Sequence, residues 1–258
     1  EVEYDPNKIS LTSIITSASS LIISTNATSL NNLNLSEMPN IKEITIPMTI
    51  TTIGESSFCD CSNLKQISIP SSVTRIGNNA FKGCSSLEQI SLSSKIINID
   101  DYAFSDCSSL KKILLPSTVK TIGNYAFDGR SLLEQILIQS KVAKIGNYAF
   151  NNCSSLQKIS LPSSITAIGN HAFNGCSSLG QIIMSSKVTN IGDYTFSQCT
   201  SLKEILIPAS VMTIGNFSFN GCSSLVNISI PSSVTTIGNN AFNGCSSLES
   251  ISIPSKVT

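Results

Sequence analysis

The chain has 258 residues, 41% of them hydrophobic and 12% charged, and sixteen basic side chains balance sixteen acidic ones to a formal net charge of zero. That length and apolar share suit an ordered protein burying roughly 70 to 75% of the surface its unfolded chain exposes. The missing basic excess argues against nucleic acid and anionic membranes as partners, and no run of eighteen apolar residues offers direct membrane insertion. The chain opens at Glu1 with neither a methionine nor a basic-then-apolar signal segment, so it reads as a stretch of something longer.

In chain order, residues 1–37 read as a degenerate N-terminal cap and first coil. Glu1 to Ala18 complete the cap, while Leu21, Ile23, Ala27, Leu30 and Leu35 keep a trace of the apolar rhythm that follows. From residue 38 that rhythm is regular. Met38 holds the slot that cysteines fill later, and Ile41, Ile44, Ile46, Ile50 and Ile53 mark one full unit. Phenylalanines then recur every 23 residues from Phe58 to Phe242, and cysteines keep the same step from Cys61 to Cys245, with Arg130 in one slot and Cys59 off register. The shared phrase is C-S-S-L-x-x-I-x-I-P-S-S-V-T-x-I-G-N-x-A-F-x-G, numbered here from its cysteine as position one. A period of 20 to 29 around an L-x-x-L-x-L core is the signature of leucine-rich repeats.

Each unit predicts one coil of an α/β repeat solenoid with 23-residue coils, about ten of them across residues 38–258. L-x-x-I-x-I forms a short strand of a parallel sheet on the concave face, with Ile67 and Ile69 inward and Ser68 outward. Pro70 and its equivalents end the strand, having no N–H for a ladder. Val73 and Ile76 return to the core. I-G-N-x-A-F then predicts a short helical turn on the convex face, with Asn78 or Asp101 as N-cap and Gly83 or Asn152 as the left-handed exit. A second rhythm of 46 residues overlies the first, since Pro70, Pro116, Pro162 and Pro208 alternate with Ser93, Gln139 and Ser185, as duplication of a coil pair would leave it. At position five Lys65, Glu88, Lys111 and Glu134 alternate in sign, which predicts pairing between neighbouring coils. The chain stops at Val257 and Thr258, midway through a coil, so further repeats or a cap are expected to follow.

The cysteines raise three readings. C-x-x-C spacing is absent and His171 is the one histidine, so no metal or other cofactor is expected. Equivalent side chains on stacked coils project in parallel, which holds Cβ atoms too far apart for a ladder of disulfides. The remaining reading is a small buried hydrophobe at the corner before the strand. Arg130 must then be met by local distortion or by pointing outward. Cys59 is the candidate for exposure. Sequons at Asn26, Asn34, Asn152, Asn216 and Asn227 arise readily in a chain this rich in asparagine and serine.

No catalytic residues are expected. His171 shares position nineteen with Tyr102, Tyr125, Tyr148 and Tyr194, and a residue interchangeable with tyrosine reads as a surface filler, with no triad or phosphate-loop motif nearby. Two surfaces are candidates for binding. At position eight, outward serines give way to Leu114, Leu137, Ile183 and Leu206, an apolar patch edged at position six by Lys112, Gln135, Lys158, Gln181 and Glu204; strand pairing between aliphatic neighbours is the competing explanation. At position nineteen, Tyr102, Tyr125, Tyr148, His171, Tyr194 and Phe217 form a ladder of rings that either stabilises itself or anchors a partner.

The phrase I-G-x-x-A-F-x-G-C-S-S-L-x-x-I-x-I-P-S-S-V-T resembles the BspA-like leucine-rich repeats of microbial surface proteins over about Met38 to Thr258. The resemblance implies a cell-surface or secreted adhesin-like module whose partner is a protein of the extracellular matrix or of a host cell surface, and it implies no catalytic residues. An intracellular interaction scaffold with the same fold is the alternative, suggested by the missing signal and the free thiols. A third class, an enzyme or its regulator with the active domain elsewhere, would show as a distinct domain beyond Thr258.

Overall fold

The computed structural model describes residues 2–4, 18–30, 40–139 and 141–258. They wind into a parallel β-solenoid of about nine turns. Most of the expected N-terminal cap, together with Leu35 and Met38, lies outside the described residues. Of that stretch Val2–Tyr4 is described; it pairs in parallel with Ser20–Ile23 and so extends the stack.

Three inter-coil seams hold the stack. The first is the expected sheet. Three-residue strands such as Lys112–Leu114 and Gln135–Leu137 pair 23 residues apart, with Ile113 opposite Ile136 and Leu114 opposite Leu137. Their exposed, buried, exposed pattern follows the two-residue alternation of a pleated strand. The second is a ladder of two-residue strands, unbroken over seven coils from Ser29–Leu30 to Ala167–Ile168. The main sheet is less continuous. After Gln89–Ser91 its strands pair two by two, each pair opening on a proline coil, so the 46-residue rhythm reappears in the hydrogen bonding.

The third seam overturns an expectation. Among the described residues no helix forms on the face opposite the sheet. Instead, backbone N–H groups take turns. Those of Asn79, Phe81 and Gly83 donate to carbonyls of Asp101, Ala103 and Ser105 in the next coil at 2.9 to 3.0 Å, while Ala80, Lys82 and Cys84 bond back three residues at 3.1 to 3.3 Å. The alternation depends on left-handed residues four apart, at positions nineteen and twenty-three, as in Tyr102 at φ 56° and Asp106 at φ 58°. An α-helix admits neither. Gly83 and Asn152 are left-handed as predicted, at φ 72° and 57°. Asn78 and Asp101 cap no helix. Their oxygens accept from the next coil, in a run where Asn147 N–H donates to Asn124 Oδ1 at 2.8 Å and Asn170 N–H to Asn147 Oδ1 at 2.9 Å.

Position twenty-three alternates as well from Asp60 to Gly221, before Gly244 repeats the glycine. The side chains of Asp60, Asp106, Asn152 and Gln198 each lie over the glycine of the following coil; a Cβ on Gly129 would sit 2.5 Å from Asp106 Oδ1. Those glycines are required by close approach as much as by their positive φ.

Inside, Phe58 to Phe242 form one column with ring centroids 5.1 to 5.6 Å apart. Each buried ring contributes about 1.5 to 3 kcal/mol by desolvation, and each offset contact about 0.5 to 1.5 kcal/mol more. Beside it runs the column of thiols, all free. They do more than fill space, since Cys84, Cys107 and Cys176 donate S–H to the carbonyls of Phe58, Phe81 and Phe150 at 3.0 to 3.2 Å. Burial pushes the Cys153 thiol up to about 12. The half-buried Cys59 rises to about 11, by burial and then the neighbouring Asp60.

One charge expectation fails, and of the two arrangements expected for Arg130 the outward one is not adopted. Arg130 points inward, not outward: it is fully buried, its three guanidinium nitrogens have no hydrogen-bond partner, and its Cζ lies 5.8 Å from the Phe104 ring centre and 5.1 Å from that of Phe127. The repeating backbone fixes the direction of its Cα–Cβ bond, so the charge sits where the thiols sit. Burial lowers its pKa. The alternating Lys65, Glu88, Lys111 and Glu134 make no ion pairs. Among the described residues the one such pair is Arg75 with Asp100 at 3.0 Å. Long exposed side chains give up as much entropy as such pairing returns. Register comes instead from short polar links such as Ser72 Oγ to Ile50 O and Ser164 Oγ to Val142 O, both 2.6 Å.

Arg130→Cys removes an unpaired buried charge and restores an S–H at that slot. It is expected to stabilise the solenoid by about 1 to 4 kcal/mol, raising Tm by roughly 2 to 4 °C per kcal/mol in calorimetry.

Candidate binding faces

The sheet brings the four position-eight aliphatics to one face. Leu114, Leu137, Ile183 and Leu206 are 61%, 57%, 57% and 78% exposed, although the alternation that lifts them out of the core would normally place polar groups there. Leu114 and Leu137 are direct cross-strand partners. Ser160 separates this pair from Ile183 and Leu206 of the two following coils; it is itself opposite Ile183, and Leu206 is opposite Ser229. Lys112 and Lys158 stand beside the row on the same strands, opposite Gln135 and Gln181. Around Ile183 and Leu206 the face deepens into an open groove of about 720 Å³, lined by both and by Met184, Glu204, Pro208 and Ser229 among others.

Sequence reasoning missed two contributors. Leu132, 43% exposed, occupies a serine slot because the arginine coil reads R-S-L-L where others read C-S-S-L, and it shares a groove with Lys111 and Lys112. Val226, 42% exposed, takes position five, where neighbouring coils carry lysine or glutamate. Both were visible as breaks in the repeat, but attention to position eight alone passes over them.

The ring ladder assembles as the spacing predicts. Tyr102, Tyr125, Tyr148, His171, Tyr194 and Phe217 stack with centroids 4.2 to 4.8 Å apart and planes within 4 to 9°. All six have φ between 52° and 57°. That conformation costs a residue with a Cβ roughly 1 to 2 kcal/mol, which stacking at about 0.5 to 1.5 kcal/mol per contact largely offsets. The arrangement also limits the chemistry. Each inner ring has a neighbour on both faces, and Lys82 Nζ lies 5.3 Å from the Tyr102 centroid, so edges and hydroxyls, not ring faces, meet solvent.

Among the described residues no group of three histidine, cysteine or acidic side chains is placed to hold a metal, and no helix is long and apolar enough to cross a membrane. His171 stacks between Tyr148 at 4.2 Å and Tyr194 at 4.5 Å, its pKa lowered by burial and partly restored by Asp193. A histidine with a lowered folded-state pKa takes up its proton more readily when unfolded. Its stabilising contribution is therefore present above the unfolded value of about 6.5 and lost as pH falls through the folded one. His171→Tyr is expected to lose less Tm than the parent between pH 7.5 and pH 5, as measured by differential scanning calorimetry.

Comparison with known proteins agrees with this geometry. The family model described as BspA type leucine rich repeat region matches residues 28–157 and 143–258, in six copies. No curated protein matches the chain. Among solved structures, a leucine-rich repeat protein from Bacteroides ovatus is similar at 28% identity and a TM-score of 0.66, covering 93% of this chain and 74% of its own. A leucine rich cell surface protein from Faecalibacterium prausnitzii is similar at 27% identity and 0.53, covering 90% and 78%. The pneumococcal vaccine antigen PcpA shares the fold at 22% identity and 0.59, covering 93% and 73%. With its repeats, its stacked core and the extent of the match, this chain belongs to the BspA-type leucine-rich repeat family.

Proposed function

We propose that the chain is a non-enzymatic, protein-binding solenoid of the cell-surface or secreted kind, an adhesin-like module that meets host or matrix proteins through its sheet face. The observation that carries the reading is the row of four exposed aliphatics at a position where the other coils from Thr45 onward place serine or threonine. An exposed apolar row edged by polar and charged residues is the usual anatomy of a partner site. Lys112 and Lys158 serve at its edge. Tyr102, Tyr125, Tyr148, Tyr194 and Phe217 offer a second contact surface on the opposite side through their ring edges. The surface setting is supported by the similarity to the Faecalibacterium cell surface protein.

A second reading, an intracellular interaction scaffold, is favoured by the nine free thiols. It uses the same face, so localisation separates the two. Protease shaving of intact source cells should release solenoid peptides under the first reading and none under the second.

Leu114→Asp combined with Leu206→Asp tests the face itself. Both side chains are largely solvated, so Tm should move by no more than about 2 °C while binding to purified matrix proteins and to intact host cells falls at least about tenfold. Unchanged binding with an intact fold would remove the sheet face as the site.

A further inference from the structure

The formal charge of zero conceals a segregation. In the turns opposite the sheet, positions seventeen to twenty-three hold Asp60, Asp100, Asp101, Asp106, Asp128 and Asp193 together with Glu55, and among the described residues Lys82 is the single cation there. The sheet side is the reverse. Along the apolar row, from residue 111 to residue 210, positions five, six and twelve carry six exposed lysines against two glutamates, Glu134 and Glu204; Lys144 lies on the two-residue ladder and Lys120 directly before one of its strands. Lys111 and Lys112 precede Leu114 and Lys203 precedes Leu206, Lys158 stands two residues before Ser160 in the strand that interrupts the row, and Lys141 and Lys187 follow Leu137 and Ile183, at the corner where the sheet ends. None of the six is in an ion pair; the one such pair among the described residues joins Arg75 to Asp100, on another face. An apolar row thus runs between two margins of unpaired ammonium groups.

We infer that the sheet face takes an acidic segment of a protein partner, its aliphatic side chains seated on the Leu114–Leu137 pair and on Ile183 and Leu206 of successive coils, and its carboxylates meeting the lysine margins. The inference rests on the protein-binding reading of this face and adds the chemistry of what binds. Opposite potentials steer the encounter and fix orientation, whereas the apolar contacts hold the complex once water is expelled.

Two other occupants fit less well. A second copy of this chain could offer its acidic turns, but none of its exposed large hydrophobics lies in them, so the aliphatic row would have nothing to meet. A bare polyanion would match the lysines but gain nothing from four exposed aliphatics, and it would meet Glu134 and Glu204 on the same surface.

The test is selection from a yeast-displayed library of random dodecapeptides at low salt, followed by affinity measurement on soluble versions of the recovered sequences. Recovered peptides should combine a clear excess of Asp and Glu over Lys and Arg with several large aliphatic residues. Their Kd should weaken about tenfold between roughly 50 and 500 mM NaCl, and about tenfold again on Lys112→Glu with Lys158→Glu. Leu114→Ser with Leu206→Ser should weaken it to a similar extent. Neutral or basic peptides that still depend on the two leucines would overturn the acidic partner and leave the protein-binding face standing. Peptides indifferent to the leucines, or a short single-stranded DNA that binds equally well to parent and leucine variant, would overturn both.

Discussion

Every coil of this molecule must satisfy the backbone of the coil before and the coil after it, and that requirement of identical neighbours governs everything else. Three seams share the work: a main sheet, a two-residue ladder, and turns whose N–H groups alternate between their own coil and the next. A buried N–H or C=O without a partner costs about as much as a lost hydrogen bond, so a residue is tolerated only if its backbone keeps the common path. Hence the sequence repeats at the level of conformation, and side chains vary most where the path leaves them outside, Arg130 being the large exception within.

That constraint explains which parts of the fold could be read in advance. The phenylalanine column, the inward Ile67 and Ile69, and the left-handed Gly83 and Asn152 all follow from one coil's local pattern repeated. The turn could not be read the same way. Asparagine at position eighteen is what a helix N-cap looks like, and only the neighbouring coil reveals that its oxygen serves another chain segment. The same applies to the thiols, whose carbonyl partners lie 26 residues away in sequence. Arg130 is the opposite case. A charged side chain in the slot suggests escape to solvent, but the repeated Cα–Cβ direction holds it between Phe104 and Phe127.

The candidate site was legible to a similar extent. Position eight stood out because a two-residue alternation makes an outward leucine conspicuous. Leu132 and Val226 were harder to see, because the sequence shows each only as a break in the repeat and nothing in one coil says which side of the path it takes. The separation of charge between the faces was invisible to a count that summed to zero. It appears only once the positions are folded onto their coils, with aspartates gathered in the turns and lysines along the sheet.

The alternating long and short residues at position twenty-three bear on how such a chain can change its length. Asp106 fills the space above Gly129, and Asn152 the space above Gly175. Deleting one glycine-bearing coil would bring two long side chains into a single pocket built for one. From Asp60 to Gly221 a change of length by two coils keeps the spacing and the loss of one such coil crowds it; the consecutive Gly221 and Gly244 are the one place among these coils where losing a single one leaves no clash.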